Sequence, residues 1–245
     1  MNEPWLGWHF LPQSRCLSND DGREVHVGET YVVPGPPVLC SHGLHACRRA
    51  VDALGYAPGP TVCRVQLGGE IVEENDKAAA TERTVLAMSD ATRTLYEFAI
   101  WCAEGTLRSV GVTDVRCWHA LEVKRRWLDG ATTDDELAAA RASAGDAAWD
   151  TWAIAWNAAG VAAHAATRAA IGVGATRDTA WDSARNAAAD AADAARNAAD
   201  AAARGARNAA DAAARGAARV EQNAELERRL LALFEMDVAK EDTNG

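Results

Sequence analysis

The sequence predicts an α+β fold class. An N-terminal domain with a small mixed or antiparallel sheet precedes an all-α, alanine-rich region of long helices or a helical hairpin. Three observations predict it. Composition changes near residue 130: all six cysteines, all seven prolines and most β-branched residues lie before it. Within that first part, short apolar runs alternate with polar residues and stop at glycine or proline, as strands do. Beyond it the chain is alanine-rich and carries an 11-residue repeat, a period close to that of the helix itself. The expected division is a head domain over 1–130 and a helical region over 131–245.

The head elements follow in order. Trp8 to Leu11 is a short apolar run ended by Pro12. Val25 to Val33 alternates as a strand and stops at Pro34-Gly35-Pro36-Pro37. Val38-Leu39-Cys40 reads as a brief strand, and Ala46 to Leu54 has helical spacing before Gly55. Val62 to Val72 is the clearest strand, with Gly68-Gly69 marking a bulge or a close backbone approach. Val85 to Met88 is a further strand candidate. Ser89-Asp90 opens a helix expected to reach Cys102 and close at Gly105, and another covers Leu121 to Leu128.

In the second half, Thr133-Asp134-Asp135-Glu136 is a capping box, in which hydroxyl and carboxylate satisfy free amides at a helix start. Trp149, Trp152 and Trp156 share one face and read as a packing seam, and Gly172-Val173-Gly174 breaks that helix. ARNAADAAARG then occurs at Ala195–Gly205 and again at Ala206–Gly216, within a repetitive stretch over 184–218. At 100° per residue the aspartates and arginines gather in one sector, where Asp200/Arg204 and Asp211/Arg215 form acid-before-base pairs four apart. The remaining arc is alanine with Gly205 and Gly216 near its centre, which predicts a helix interface of close approach. An ice-binding helix would need regularly spaced threonines there, and the repeat has none. Leu226, Leu230, Leu233 and Phe234 give the 220–238 end an amphipathic face suited to docking or coiled-coil pairing.

Charge narrows the function classes. The chain has 25 Lys+Arg against 35 Asp+Glu, a net charge of −10. Residues 1–130 carry 13 basic and 17 acidic groups, and 131–245 carry 12 and 18, so neither half is a basic nucleic-acid surface. Lys124-Arg125-Arg126 reads as a solvated helix face. No run of 18 apolar residues is free of charge, and Met1 to Pro12 lacks a basic segment followed by an apolar one. Six sparse cysteines fit a reducing compartment better than a disulfide scaffold, so a cytoplasmic location is expected.

One cluster carries candidate chemistry: Cys40-Ser41-His42-Gly43-Leu44-His45-Ala46-Cys47. Thiols and imidazoles are zinc-ligand types, but C-x-H-x2-H-x-C crowds four of them around one turn. Cys40, His45 and Cys47 with a distant Cys63 or Cys117 would be more feasible. The plainer reading makes Cys40 and Cys47 small core residues, with His45 hydrogen-bonded across the turn. No metal is favoured and no cofactor is expected. No phosphate loop, dinucleotide glycine fingerprint, G-x-S-x-G or H-E-x-x-H is present.

Gly28-x-Thr30-Tyr31, Cys40-x-x-Gly43-Leu44-His45-Ala46-Cys47, Val65-x-Leu67-x-Gly69-x-Ile71 and Asp76-Lys77 carry a resemblance over residues 5–90. The segment resembles an uncharacterised domain of unknown function that is frequent in bacteriophage proteins and often followed by repetitive tails. The resemblance implies a phage or prophage origin, hence a host-cell cytoplasm, and no established activity. The alanine-rich half is similar, more loosely, to a family of helical immunity-like proteins. The order of strand, Gly-x-x-Tyr turn and G-L-H-A-C turn also resembles the layout of ADP-ribosyltransferase domains. That layout would assign His9 or His45 to the dinucleotide, Tyr31 to stacking, and Glu70 or Glu73 as the carboxylate.

The expected function is a non-enzymatic interaction or adaptor protein. Its surfaces would be the alanine/glycine helix face at Gly205 and Gly216 and the C-terminal leucines Leu226 and Leu230, engaging a protein partner or a second copy. An NAD-dependent transferase in the head is the alternative, which requires a pocket where His45, Tyr31 and a carboxylate converge. A zinc-stabilised binding module is the third reading. Neither a membrane nor a nucleic acid is an expected partner.

Overall fold

The computed structural model describes residues 3–17, 22–109, 111–152 and 209–244, with the backbone alone at 148–152, 209–217 and 241–244. The chain is α+β. An antiparallel five-stranded sheet is followed by helices, and two compact units form: 1–92 with 225–245, and 93–224.

In the first unit the strands are β1 (Trp5–Leu11), β2 (Thr30–Val32), β3 (Leu44–Ala46), β4 (Thr61–Glu73) and β5 (Ala78–Asp90), with helix α1 (Ala50–Gly55) between β3 and β4. Their order is β1-β4-β5-β2, and β3 also pairs with β5. The long edge of β5 is therefore shared, Ala78–Ala80 facing β3 and Glu82–Thr84 facing β2. One residue past β3, Cys47 exchanges both backbone hydrogen bonds with Trp8 of β1, at 2.7 and 2.9 Å. The sheet thereby curls back on its first strand. It encloses a core of Trp5, Leu11, Tyr31, Leu44, Ala46, Cys63, Val65, Leu67 and Val85.

Gly68-Gly69 does mark a bulge: the β4–β5 register shifts between Gly68 and Ile71. Gly69 has φ +67°, and a Cβ there would collide with the Thr81 hydroxyl. Other expectations need correction. Only Thr30–Val32 of the 25–33 run is a strand, because Val25 bonds instead to Arg15 and Gly28 turns the chain at φ +85°. Val38-Leu39-Cys40 is not a strand but a turn. Val38 and His42 bond each other, and Cys40 takes φ +62°, which no strand permits. Ala46 belongs to β3, since its neighbourhood is spent on cross-strand pairing, and the helix starts at Ala50.

The C-terminal end of helix α5 (Ala209–Asn244) belongs to the first unit from Glu225 onward. Leu226 and Leu230 are fully buried there and Phe234 nearly so. Phe234 stacks on Trp8, whose indole N–H donates to Glu227 at 3.0 Å. Ser89 donates to Asp237 at 2.8 Å.

The second unit contains α2 (Thr92–Ser109), α3 (Val115–Leu128) and α4 (Asp134–Trp152). Helix α2 runs through Gly105 rather than closing there. Thr106 and Leu107 are buried, which outweighs the roughly 1 kcal/mol helix cost of an exposed glycine. Gly111, at φ +68°, lies in the turn that follows. The capping box at α4 forms as expected: Glu136 N–H donates to the Thr133 hydroxyl at 3.2 Å, and Thr133 N–H donates to the Glu136 carboxylate at 2.9 Å. The side chains of the Trp149–Trp156 seam, most of the 184–218 repeat, Gly205 and the side-chain face around Gly216 lie outside the described residues.

Candidate functional site

A cavity of about 300 Å³ opens in the first unit where the sheet curls back on β1. It is lined by Trp8, His9 and Phe10 of β1, Cys40, His45 and Cys47 of the cysteine–histidine turn, Ala53 and Tyr56 around α1, and Pro58 and Lys77. Cys40 and Tyr56 are exposed and form part of the rim. His9 is at the opposite extreme. Side chains on a strand alternate, so His9 shares its face with Trp5 and Leu11, both core residues, and with Cys63 directly opposite. It is the polar member of an interior face. Its exposure is nonetheless intermediate, as suits a group whose accessible surface faces a cavity. Burial holds its pKa well below the usual histidine range, and the positive charge of Arg83 adds to the effect. His9 is therefore neutral at pH 7, with one donor and one acceptor nitrogen.

His45 is neutral for a similar first reason, burial, and the charges of Arg83 and Lys77 act in the same direction. Its Nε2 accepts the Cys40 N–H at 3.1 Å, and Gly43 supplies a backbone hydrogen bond to the ring. Its backbone carbonyl accepts from the buried Arg83 guanidinium at 2.9 Å. His45 thus braces the turn with its ring as it lines the pocket. Gly43, at φ +114°, brings the turn close to Ala80 and Pro37, where a side chain would crowd both.

Cys40 is exposed rather than a core residue, because the left-handed turn swings it outward, where Lys77 Nζ donates to its sulfur at 3.0 Å. Cys47 is buried, and desolvation ahead of Asp52 and Asp76 pushes its thiol up to about 12. It is an inert thiol at neutral pH. Among the described residues, no three His, Cys, Asp or Glu side chains stand where they could hold a metal ion. All six cysteines are free.

The other residues named from sequence lie elsewhere. Tyr31 accepts from His26 N–H at 2.8 Å and lies 2.7 Å from a Glu29 carboxylate oxygen, where burial and that carboxylate raise its pKa. Glu70 is exposed at the β4 bulge, its N–H bonded to Thr81. Glu73 accepts from Arg48 and from the Trp5 indole, and the Arg48 hydrogen bond holds its carboxyl below the usual range. Of His45, Tyr31 and Glu70, His45 alone lines the cavity. Leu226 and Leu230 are covered by the chain's own first unit.

Sequence reasoning missed Tyr56, and it carried Lys77 only inside a motif. It also misread Lys124. That side chain is fully buried in the second unit, its ammonium 3.9 Å from the centre of the Tyr96 ring and 3.8 Å from that of Trp127. Desolvation lowers its pKa to about 7. The spacing Tyr96…Lys124…Trp127 holds no periodic signal across two helices. Arg125 and Arg126 are the solvated members of the run, with Arg125 paired to Glu104 at 2.7 Å.

A family model described as a domain of unknown function (DUF7666) matches residues 16–97. The match takes in the cysteine–histidine turn, α1, Lys77 and strands β2 to β5, and leaves out β1 with His9. No curated protein and no solved structure matches the chain. Among the described residues, no helix is long and apolar enough to cross a membrane.

Proposed function

We propose that this chain is a non-enzymatic interaction protein whose head binds a small ligand in the His9–Lys77 cavity and whose helical region contacts a protein partner. One observation carries the reading: a neutral histidine on the interior face of a strand, with no hydrogen bond to its imidazole among the described residues, lining an open cavity. An imidazole that opens on a cavity and has no protein partner for its nitrogens is placed to hydrogen-bond what enters it. Mostly apolar walls with a few converging polar groups are the usual make-up of a small-molecule site.

For a protein partner or a second copy the proposed surface is the alanine/glycine face expected from the sequence at Gly205 and Gly216, which lies outside the described residues. The resemblance to a phage-associated domain supports a phage or prophage setting, with action in the host cytoplasm. The transferase reading gains no support from a cavity that Tyr31 and Glu70 do not line, and the zinc reading gains none from the ligand geometry.

The test is a ligand-observed NMR screen of small aromatic fragments against the full chain and against His9→Leu. Fragments that bind the wild type and lose binding in the variant support the proposal. A library in which nothing binds the wild type, or in which binding survives the substitution throughout, overturns it.

A further inference from the structure

Resting on that reading, we propose that the cavity's ligand is a small aromatic carboxylic acid, its carboxylate meeting the Lys77 ammonium and its flat body lying along the wall of Ala53, Tyr56 and Pro58. Lys77 is an unusual lysine of the first unit. Its side chain is only 18% exposed, although lysines on a surface normally reach for water. Instead it is turned toward the cavity. There its ammonium donates to the Cys40 sulfur, a weak acceptor, lies over the Tyr56 ring at 5.4 Å, and stands 3.9 Å from Glu74. An ammonium has three donors; the Cys40 sulfur takes one of them, and the Glu74 carboxylate stands beyond hydrogen-bond distance. An anion at the rim would supply a stronger acceptor than the sulfur.

Size and charge restrict the class further. A cavity of about 300 Å³ sits at the small end of the range for ligand sites, enough for a single substituted ring. Lys77 is the one cationic side chain in the lining, and no guanidinium joins it, so a monoanion fits better than a phosphate, which recruits several donors. The inner end also feels positive charge, that of the buried Arg83 guanidinium acting on His9. His9 can then give or take one hydrogen bond with a second polar atom on the ring.

Benzoate, benzamide and benzylamine test the proposal as isosteric probes, titrated into the full chain with chemical shifts of the His9 and His45 rings as readout. Benzoate is expected to bind at least about tenfold more tightly than benzamide, and benzylamine most weakly. Lys77→Met should erase the benzoate advantage while benzamide affinity stays unchanged, and Lys77→Arg should keep it. Benzamide or benzylamine binding as well as benzoate would overturn the acid assignment and leave the cavity as a binding site. Failure of all three to shift either ring would overturn both.

Discussion

The Trp8 and Phe234 rings stack with centroids 6.2 Å apart and planes 13° apart, joining the first strand of the sheet to the last helix of the chain. Arg64, opposite Trp8 in the β1–β4 register, lies over the indole at 4.7 Å, and Glu227 accepts its N–H. The outer side of β1 is thus covered by a helix more than 200 residues away, while its inner side carries His9.

Phe234→Ala should therefore destabilise the head, not just the helix. Removing a buried aromatic ring typically costs about 3–5 kcal/mol. Leu231→Ala, on the exposed side of the same helix, should change stability by no more than about 0.5 kcal/mol. Thermal melts read against amide exchange in β1 and β4 check both. Equal effects of the two substitutions would mean that the stacking is incidental.

Lys124 makes the helical unit's stability depend on pH in an unusual direction. Its folded pKa, about 7, lies below the ordinary value of 10.5, so between those pH values the unfolded chain binds the extra proton. Stability must then rise with pH across that window, by at most about 1.4 kcal/mol per unit. Tyr96, raised to about 12 by burial, reverses the trend above pH 10. Lys124→Met should flatten the profile and raise stability at pH 6, because it removes a buried charge while keeping contact with both rings. Amide exchange of α3 at pH 6, 7.5 and 9, corrected for intrinsic rates, gives the slope.

The head should show a separate loss on the acid side. His9 and His45 both have folded pKa values below the ordinary 6.5, so their contribution is complete above 6.5 and is lost as pH falls toward the folded values. His9→Leu should reduce that acid sensitivity. Urea titrations at pH 5 and pH 7.5 on wild type and variant measure it, and an unchanged pH difference would show that His9 is not neutral in the folded head.

The repeat allows a prediction from sequence alone. If a second helix packs closely on the Gly205–Gly216 face, Gly205→Leu should overpack it and cost about 1–3 kcal/mol. On a bare helix the same change gains helix propensity, up to about 1 kcal/mol, and stabilises. Thermal melts with sedimentation equilibrium separate the two signs.

The sequence by itself determined the elements whose signals are local. The Thr133–Glu136 box placed the start of α4, Gly68-Gly69 placed the β4 bulge, and the change in composition placed the sheet before the helices. These are set by neighbouring residues, by a hydroxyl three positions from a carboxylate or by the lack of a Cβ. Tertiary structure alone decided where Cys40 and Lys124 point, why α2 passes Gly105, and that Leu226 and Leu230 turn inward. The pocket belongs to the same group. His9 was legible as a candidate and Lys77 as part of a motif, but their convergence depends on Cys47 pairing with Trp8 to bring the two ends of the sheet together. Such long-range backbone pairing leaves no periodicity in the sequence, because the hydrogen bonds that form it are identical for every residue type.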